Sequence, residues 1–335
     1  GALWLMGDHS VMGKREKGIG VLGKGTRDMS EVGIFVVDDS PESNDDSFEN
    51  IVGRCQRMRE IFDLIKKVSP TAAPVIIQGE SGTGKELVAR AIHKNSPRRT
   101  QKFLAINSAS LPETLLESEL FGYRKGAFTG ARADRIGLLE SANRGTLFLD
   151  EIGSMSGRLQ GKLLRAMQDG EIAPVGSAER IKIDVRVLAA SNRNIAEVVE
   201  LGEFRKDLYY RLNVIEIALP PLRERREDIP LLAEHFLQKY SRGERVEPKA
   251  LGKPAMRKLL KYRWPGNVRE LENVIRRAMI VSSGRVINAS EIDLRRGVSP
   301  NSSRRPDLLA MSYHEAMKIV QSEFQRAYVR RVLSL

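Results

Sequence analysis

The sequence predicts an α/β fold: a parallel five-stranded sheet between helices, followed by a small all-helical domain. Three observations carry this. Short apolar runs alternate with stretches of helical spacing over residues 49–219, the pattern of strands joined by crossover helices. One of those runs ends in a glycine-rich turn that opens a helix. After Pro220-Pro221 the strands stop, and only helical periodicity follows over residues 220–296.

In order along the chain, residues 1–48 read as a linker or the remnant of a regulatory region. They are glycine-rich, then acidic (DDSPESNDDS), with one short apolar run, GIFVV, at 33–37. Met58, Ile61, Phe62 and Ile65 then mark a helix by their spacing. Residues 74–78 (PVIIQ) make a buried strand, and 87–93 the helix after its turn. Residues 103–107, 145–150, 183–191 and 214–219 are the other four strands, with a helix over 159–167 among the intervening segments. Past the Pro-Pro hinge, helical spacing marks 228–240, 254–262 and 267–281. Residues 297–312 form a second linker, and 313–335 one amphipathic helix. The chain begins at Gly1 and stops within that helical pattern, which reads as a piece of a longer protein.

Composition bounds the function classes. The 335 residues suffice for two domains. The apolar fraction is 41% and the charged fraction 29%, ordinary for a soluble chain. No stretch approaches the ~18 apolar residues of a membrane span. The N-terminus carries glycine and charge too early for a secretory signal, so the expected place is the cytoplasm. A single cysteine, Cys55, excludes an internal disulfide and is expected as a half-buried bystander on a helix. The four histidines are scattered without ligand spacing, so no structural metal site is expected. Fifty-five basic against 43 acidic residues leave a net charge of +12, suited to a polyanion such as nucleotide phosphate or nucleic acid.

The chemistry is concentrated in two places. Gly79, Glu80, Ser81, Gly82, Thr83, Gly84 and Lys85 match G-x-x-x-x-G-K between a strand and a helix. Glycines there let backbone N–H groups turn toward phosphate, the helix N-terminus adds positive potential, and Lys85 can bridge the outer phosphates. The next residue is Glu86 rather than a hydroxyl residue, so magnesium must lean on Asp150 and water. Asp150 and Glu151 end the apolar run GTLFLDE. A carboxylate at a buried strand tip beside a phosphate loop can hold Mg2+, and its neighbour can polarise the attacking water. Without an N-K-x-D signature, the expected nucleotide is ATP rather than GTP.

Phe121-Gly122-Tyr123-Arg124-Lys125, followed by Gly126, Ala127, Phe128, Thr129, Gly130 and Ala131, carries GAFTGA. With GESGTGKE, ESELFG, GTLFLDEI, FRKDLYYRLNV, PPLRER and WPGNVREL, the chain resembles sigma-54-dependent transcription activators over residues 49–294. The resemblance implies an AAA+ P-loop NTPase with a helical lid, assembled as a homo-oligomeric ring, hexameric or heptameric. Such a ring hydrolyses ATP with Mg2+ and remodels the closed promoter complex of the sigma-54 RNA polymerase holoenzyme through residues 126–131. That family also carries glutamate after the lysine. Asn107 then resembles the residue coupling Glu151 to nucleotide state, Asn192 the first sensor and Arg269 the second. Ile51, Val52 and Gly53 resemble the adenine-packing segment, and Arg205 and Arg211 the arginine fingers that reach a neighbour's γ-phosphate. For one of these two arginines the plainer reading is a surface side chain paired with Glu203 or Asp207. Residues 264–267 (WPGN) read as a turn and helix N-cap.

Two readings compete on the same fold: a helicase or protein-remodelling motor, and an adaptor with dead chemistry. The GAFTGA insertion argues against the first. Lys85, Asp150, Glu151 and the two fingers argue against the second. Family members also bind enhancer DNA through a C-terminal helix-turn-helix, of which residues 313–335 resemble only the first helix. Specific promoter or enhancer DNA is therefore expected as a partner of the full-length protein, and no membrane.

Overall fold

The computed structural model of the chain describes residues 47–244 and 249–294. The expected linker before residue 47, the linker 297–312 and the helix 313–335 lie outside the described residues.

Five strands form one fully parallel sheet: β1 (Val75–Gln78), β2 (Phe103–Asn107), β3 (Thr146–Asp150), β4 (Arg186–Ser191) and β5 (Ile215–Ala218), in the order β5-β1-β4-β3-β2. Both faces are covered, which is why the strands read as continuous apolar runs rather than alternating ones. Alternate side chains serve opposite layers. Val75, Ile77, Phe148, Leu188 and Ala190 pack under α1 (Gln56–Val68) and α2 (Lys85–Lys94). Ile76, Leu147, Leu149, Val187 and Ala189 pack under the opposite layer. That layer holds α3 (Glu113–Phe121), α4 (Gly157–Asp169), α5 (Ile195–Glu200) and α6 (Lys206–Leu212).

Local signals start and stop these helices. Ser156 caps α4 by accepting a hydrogen bond from the Leu159 N–H, and Gly170, at φ 66°, ends it in the left-handed region that glycine adopts without penalty. Cys55 departs from expectation: it is buried and precedes α1 rather than sitting on it, and burial pushes its thiol pKa up.

Two short hairpins project from the sheet. Gly122–Tyr123 pairs with Arg135–Ile136, and Glu171–Ile172 with Ile181–Lys182. They lean together through a Tyr123–Val175 bridge, and a methyl group added at Gly176 would stand 2.7 Å from the Ala127 Cβ. Two-residue ladders are too short to show a period of two in the sequence.

The lid follows with α7 (Ile229–Glu244), α8 (Lys253–Lys261) and α9 (Asn267–Val281), gathered around Trp264, whose Nε1–H donates to the Leu259 carbonyl at 2.9 Å. Among its described residues it is helical apart from one parallel two-residue ladder, Ala250–Leu251 with Val286–Ile287. Among the described residues no helix is long and apolar enough to cross a membrane.

Candidate functional site

The strand register brings the chemistry to one edge. Gln78, which ends β1, is level with Ser191, which ends β4, and Asn107 is level with Asp150. The turn at residues 79–84 and the acids at 150–151 therefore leave the same, carboxyl-terminal edge of the sheet, where open α/β sheets bind ligands. Gly82 and Gly84 have φ of 80° and 105°. A Cβ added at Gly84 would meet no atom within 4 Å, so the backbone there faces open space at the start of α2. Lys85 is buried, and its ammonium donates to the Gly79 and Glu80 carbonyls at 2.9 and 3.4 Å. An ammonium folded over a glycine cradle at a helix N-terminus fits a polyphosphate.

Asp150 and Glu151 share this edge. Burial raises the pKa of both carboxyls, and the Lys85 charge pulls both back down. Asp150 accepts hydrogen bonds from the Glu151 N–H at 3.0 Å and from Asn107 Nδ2 at 3.4 Å. Asn107 thus touches Asp150, whereas the sequence reading paired it with Glu151. Its other amide atom accepts from the Ala109 N–H. Glu151 sits at φ 54°, a left-handed conformation that a non-glycine residue holds only under constraint. Its carboxylate accepts from the Asn192 backbone N–H at 3.3 Å, and the Asn192 side chain is exposed. The carboxylates fit a divalent cation carried in with phosphate. Among the described residues no group of three or more His, Cys, Asp or Glu could hold a metal alone.

Other expected residues take other positions. Glu86 pairs with Arg90 at 2.8 Å, one helical turn on in α2, and its charge raises the Asp150 pKa. The Glu80 carboxylate is held by Arg223 in two hydrogen bonds of 2.6 and 2.8 Å. Thr83 is buried, and its hydroxyl donates to the Glu80 carbonyl, while Ser81 is exposed. Ile51 and Val52 are buried on either side of the junction, Ile51 in the sheet core and Val52 in the lid core. Gly53 is buried against Met58 and Asp228. Arg269 is exposed on α9, close enough for its charge to lower the pKa of Asp150.

Arg205 and Arg211 flank α6. Arg205 precedes it and pairs with Asp207 through bonds of 3.0 and 2.7 Å; Glu203 pairs with Arg193 instead. Arg211 lies in the last turn and donates to the Met167 carbonyl at 3.1 Å. Both are exposed.

At the tip of the first hairpin Phe128 is 47% exposed, with its ring edge-on to Tyr123 at 4.9 Å. Thr129 and Gly130 are exposed, Gly126 at φ 83° donates its N–H to the Ala131 carbonyl, and Ala127 is half-buried. Ala131 departs from expectation: it is buried, so its methyl is not available to a partner. Arg124 ties the hairpin together through Asp134 at 3.1 Å and reaches Glu179 of the second hairpin at 2.8 Å. Arg135, at its base, pairs with the buried Glu119 of α3. The buried Glu117 of α3 takes Arg158 and Lys162 of α4. Nothing local in the sequence distinguishes these buried glutamates from solvated ones.

The sigma-54 interaction domain family matches residues 51–218. The chain belongs to that family. The AAA+ ATPase lid domain matches residues 223–307, so the parallel sheet with its helical lid is an AAA+ module. The nitrogen fixation protein AnfA of Azotobacter vinelandii is 47% identical over 82% of this chain and 51% of its own length. The Nif-specific regulatory protein of Klebsiella pneumoniae is 53% identical over 73% of this chain and 46% of its own length. The regulatory protein AtoC of Escherichia coli is 52% identical over 72% and 53%. This chain spans about half the length of these curated relatives. The crystal structure of NtrX from Brucella abortus with ATP superposes with a TM-score of 0.69 at 34% identity, over 82% of this chain and 61% of that one. NtrX with ADP does so equally well.

Proposed function

We propose that this sigma-54 interaction domain binds ATP with Mg2+, hydrolyses it, and uses the cycle to drive its aromatic hairpin against the sigma-54 RNA polymerase holoenzyme, opening the closed promoter complex. The observation that carries the reading is the convergence of Lys85, the glycine turn, Asp150 and Glu151 at one sheet edge. That edge is joined through α3 to an exposed phenylalanine. The crystal forms of NtrX with ATP and ADP support a nucleotide here.

Within this reading the N–H groups of residues 79–85 and the Lys85 ammonium hold the phosphates, and residues 51–53 line the base. Asp150 would hold Mg2+, which would supply neutralisation of the phosphate charge. Glu151 accepts a proton from water as the water oxygen bonds to the γ-phosphorus. The bond to the bridging oxygen breaks and ADP leaves with the electron pair. Asn107, through its bond to Asp150, holds the acids in register, while Asn192 and Arg269 meet the γ-phosphate. Arg205 and Arg211 serve a neighbour's site in a hexameric or heptameric ring, which makes hydrolysis depend on assembly. Arg205 must first release Asp207.

The path to the hairpin runs along α3. Ser108, just after Asn107, donates its N–H to the Asp150 carbonyl. Glu113 accepts from Ser156 at 2.6 Å, at the start of α4. The far end of α3 passes directly into the hairpin, where Glu119 grips Arg135. The test is capture of sigma-54 by the protein bound to ADP and aluminium fluoride. Capture is expected with that analogue and not with ADP alone. Phe128→Ala is expected to abolish it while leaving phosphate release within about twofold, since truncating an aromatic anchor removes binding rather than chemistry. Full capture by Phe128→Ala would sink the hairpin assignment.

A further inference from the structure

We propose that Glu80 and Asn267 are positioning residues that carry the shape of the phosphate loop to Arg269, through the first turn of α9. The inference rests on the reading of Arg269 as the group that meets the γ-phosphate.

Asn267 opens α9 but does not cap it. It is fully buried and held at φ 52°, in the left-handed region that asparagine tolerates better than most non-glycine residues. Its amide nitrogen donates twice to the phosphate loop, to Glu80 Oε2 at 3.1 Å and to the Ser81 carbonyl at 3.0 Å. Its amide oxygen accepts the Leu222 N–H at 2.8 Å, at the hinge where the lid begins. Every polar atom of this side chain is spent joining the loop to the lid. Glu80 is gripped from the other side by the forked pair with Arg223, which holds its carboxyl pKa below the ordinary value.

The backbones are equally committed. The Gly82 carbonyl accepts the N–H groups of Val268 and Arg269 at 2.9 and 3.3 Å. A Cβ added to Gly82 would stand 2.4 Å from the Gly266 carbonyl oxygen and 3.1 Å from the Arg269 Cβ. Arg225, itself buried, donates to the Thr83 carbonyl at 3.0 Å. The carbonyls of Ser81, Gly82 and Thr83 thus all face the lid and its hinge. These peptides belong to the loop whose N–H groups turn toward phosphate, so reorienting them moves the lid's first turn. Arg269 is rooted in that turn, and among the described residues its guanidinium has no hydrogen-bond partner to hold it elsewhere.

The test compares binding of MgADP and of magnesium with the non-hydrolysable analogue AMP-PNP, by titration calorimetry on the whole chain. Arg269→Ala, Asn267→Gly and their combination are measured beside the parent. Glycine is chosen because it accepts φ 52° and removes only the side chain. Asn267→Gly is expected to lower the ratio of AMP-PNP to ADP affinity about tenfold, the loss of one well-placed interaction worth about 1.4 kcal/mol. The combined variant is expected to be no worse than Arg269→Ala alone. Glu80→Gln, which keeps the shape of the side chain, is expected to shift the ratio the same way by a smaller factor and serves if Asn267→Gly does not fold. If Arg269→Ala leaves the ratio unchanged, the reading of Arg269 fails and the inference falls with it. If Arg269→Ala lowers the ratio but Asn267→Gly and Glu80→Gln only weaken both nucleotides alike, or only lower the melting temperature, the two residues are structural and the inference alone is overturned. An additive combined variant also overturns it, because the two side chains then act separately.

Discussion

Asp150 and Glu151 are the residues whose environment decides the most. Both are drawn partly out of water beside Lys85, and desolvation is the largest effect on each. An acid whose folded pKa is raised binds its proton more tightly folded than unfolded. Its contribution to stability is therefore best at low pH and declines as pH rises through the folded value. Asp150→Asn removes that penalty and keeps an oxygen to accept the Glu151 N–H. It is expected to raise the melting temperature of the nucleotide-free protein at neutral pH, with the gain vanishing below the ordinary carboxylate range. The same change is expected to lower magnesium-dependent phosphate release by about two orders of magnitude or more. Thermal melts across pH beside activity assays check both; a lower melting temperature at neutral pH would contradict the desolvation argument. Hydrolysis itself should fade at acid pH, once the Glu151 base is protonated.

Among the elements, α1 depends on a residue far from it in sequence. Arg186, at the start of β4, is 2% exposed. Its guanidinium donates not to a carboxylate but to the Val68, Ser69 and Ala73 carbonyls, at 3.0, 2.8 and 3.3 Å. Those carbonyls lie at and just beyond the C-terminus of α1, where the helix dipole is negative. Burial brings the Arg186 pKa down to about 10, so it stays charged at neutral pH. Arg186→Leu is expected to cost about 2–4 kcal/mol in urea denaturation, since it strands buried carbonyls that lose their donor. A loss below about 1 kcal/mol would mean that water replaces the guanidinium there.

Across the whole molecule, an ATPase completed by fingers in trans makes a complementation prediction. Lys85→Ala and the double variant Arg205→Ala, Arg211→Ala are each expected to be inactive alone. Mixed in equal amounts and allowed to exchange, they should regain roughly a quarter of parental activity. Half of the sites keep Lys85, and half of their neighbours keep both fingers. Phosphate release measured on the mixture checks this, and no recovery would place the fingers in the same subunit as the lysine they serve. Both arginines are exposed at opposite ends of α6, about 9 Å apart in helical rise. In the proposed ring they would meet a neighbouring subunit from different points.

The sequence by itself determined the five strands, the helices α1, α2 and α4, and the turn before Lys85. Apolar period, glycine placement and strand-end acids are local patterns, complete within about a dozen residues. Only the tertiary structure decided what those residues touch. It put Asn107 on Asp150, turned Glu86 toward Arg90, buried Ala131, and closed Asn267 onto Glu80 across 187 positions of sequence. Nothing in the local sequence marks the Arg186 and Glu117 side chains as buried; the packing takes water from them. Which side chain loses its water depends on sheet order and lid placement, and both arise from contacts between segments that no local pattern relates.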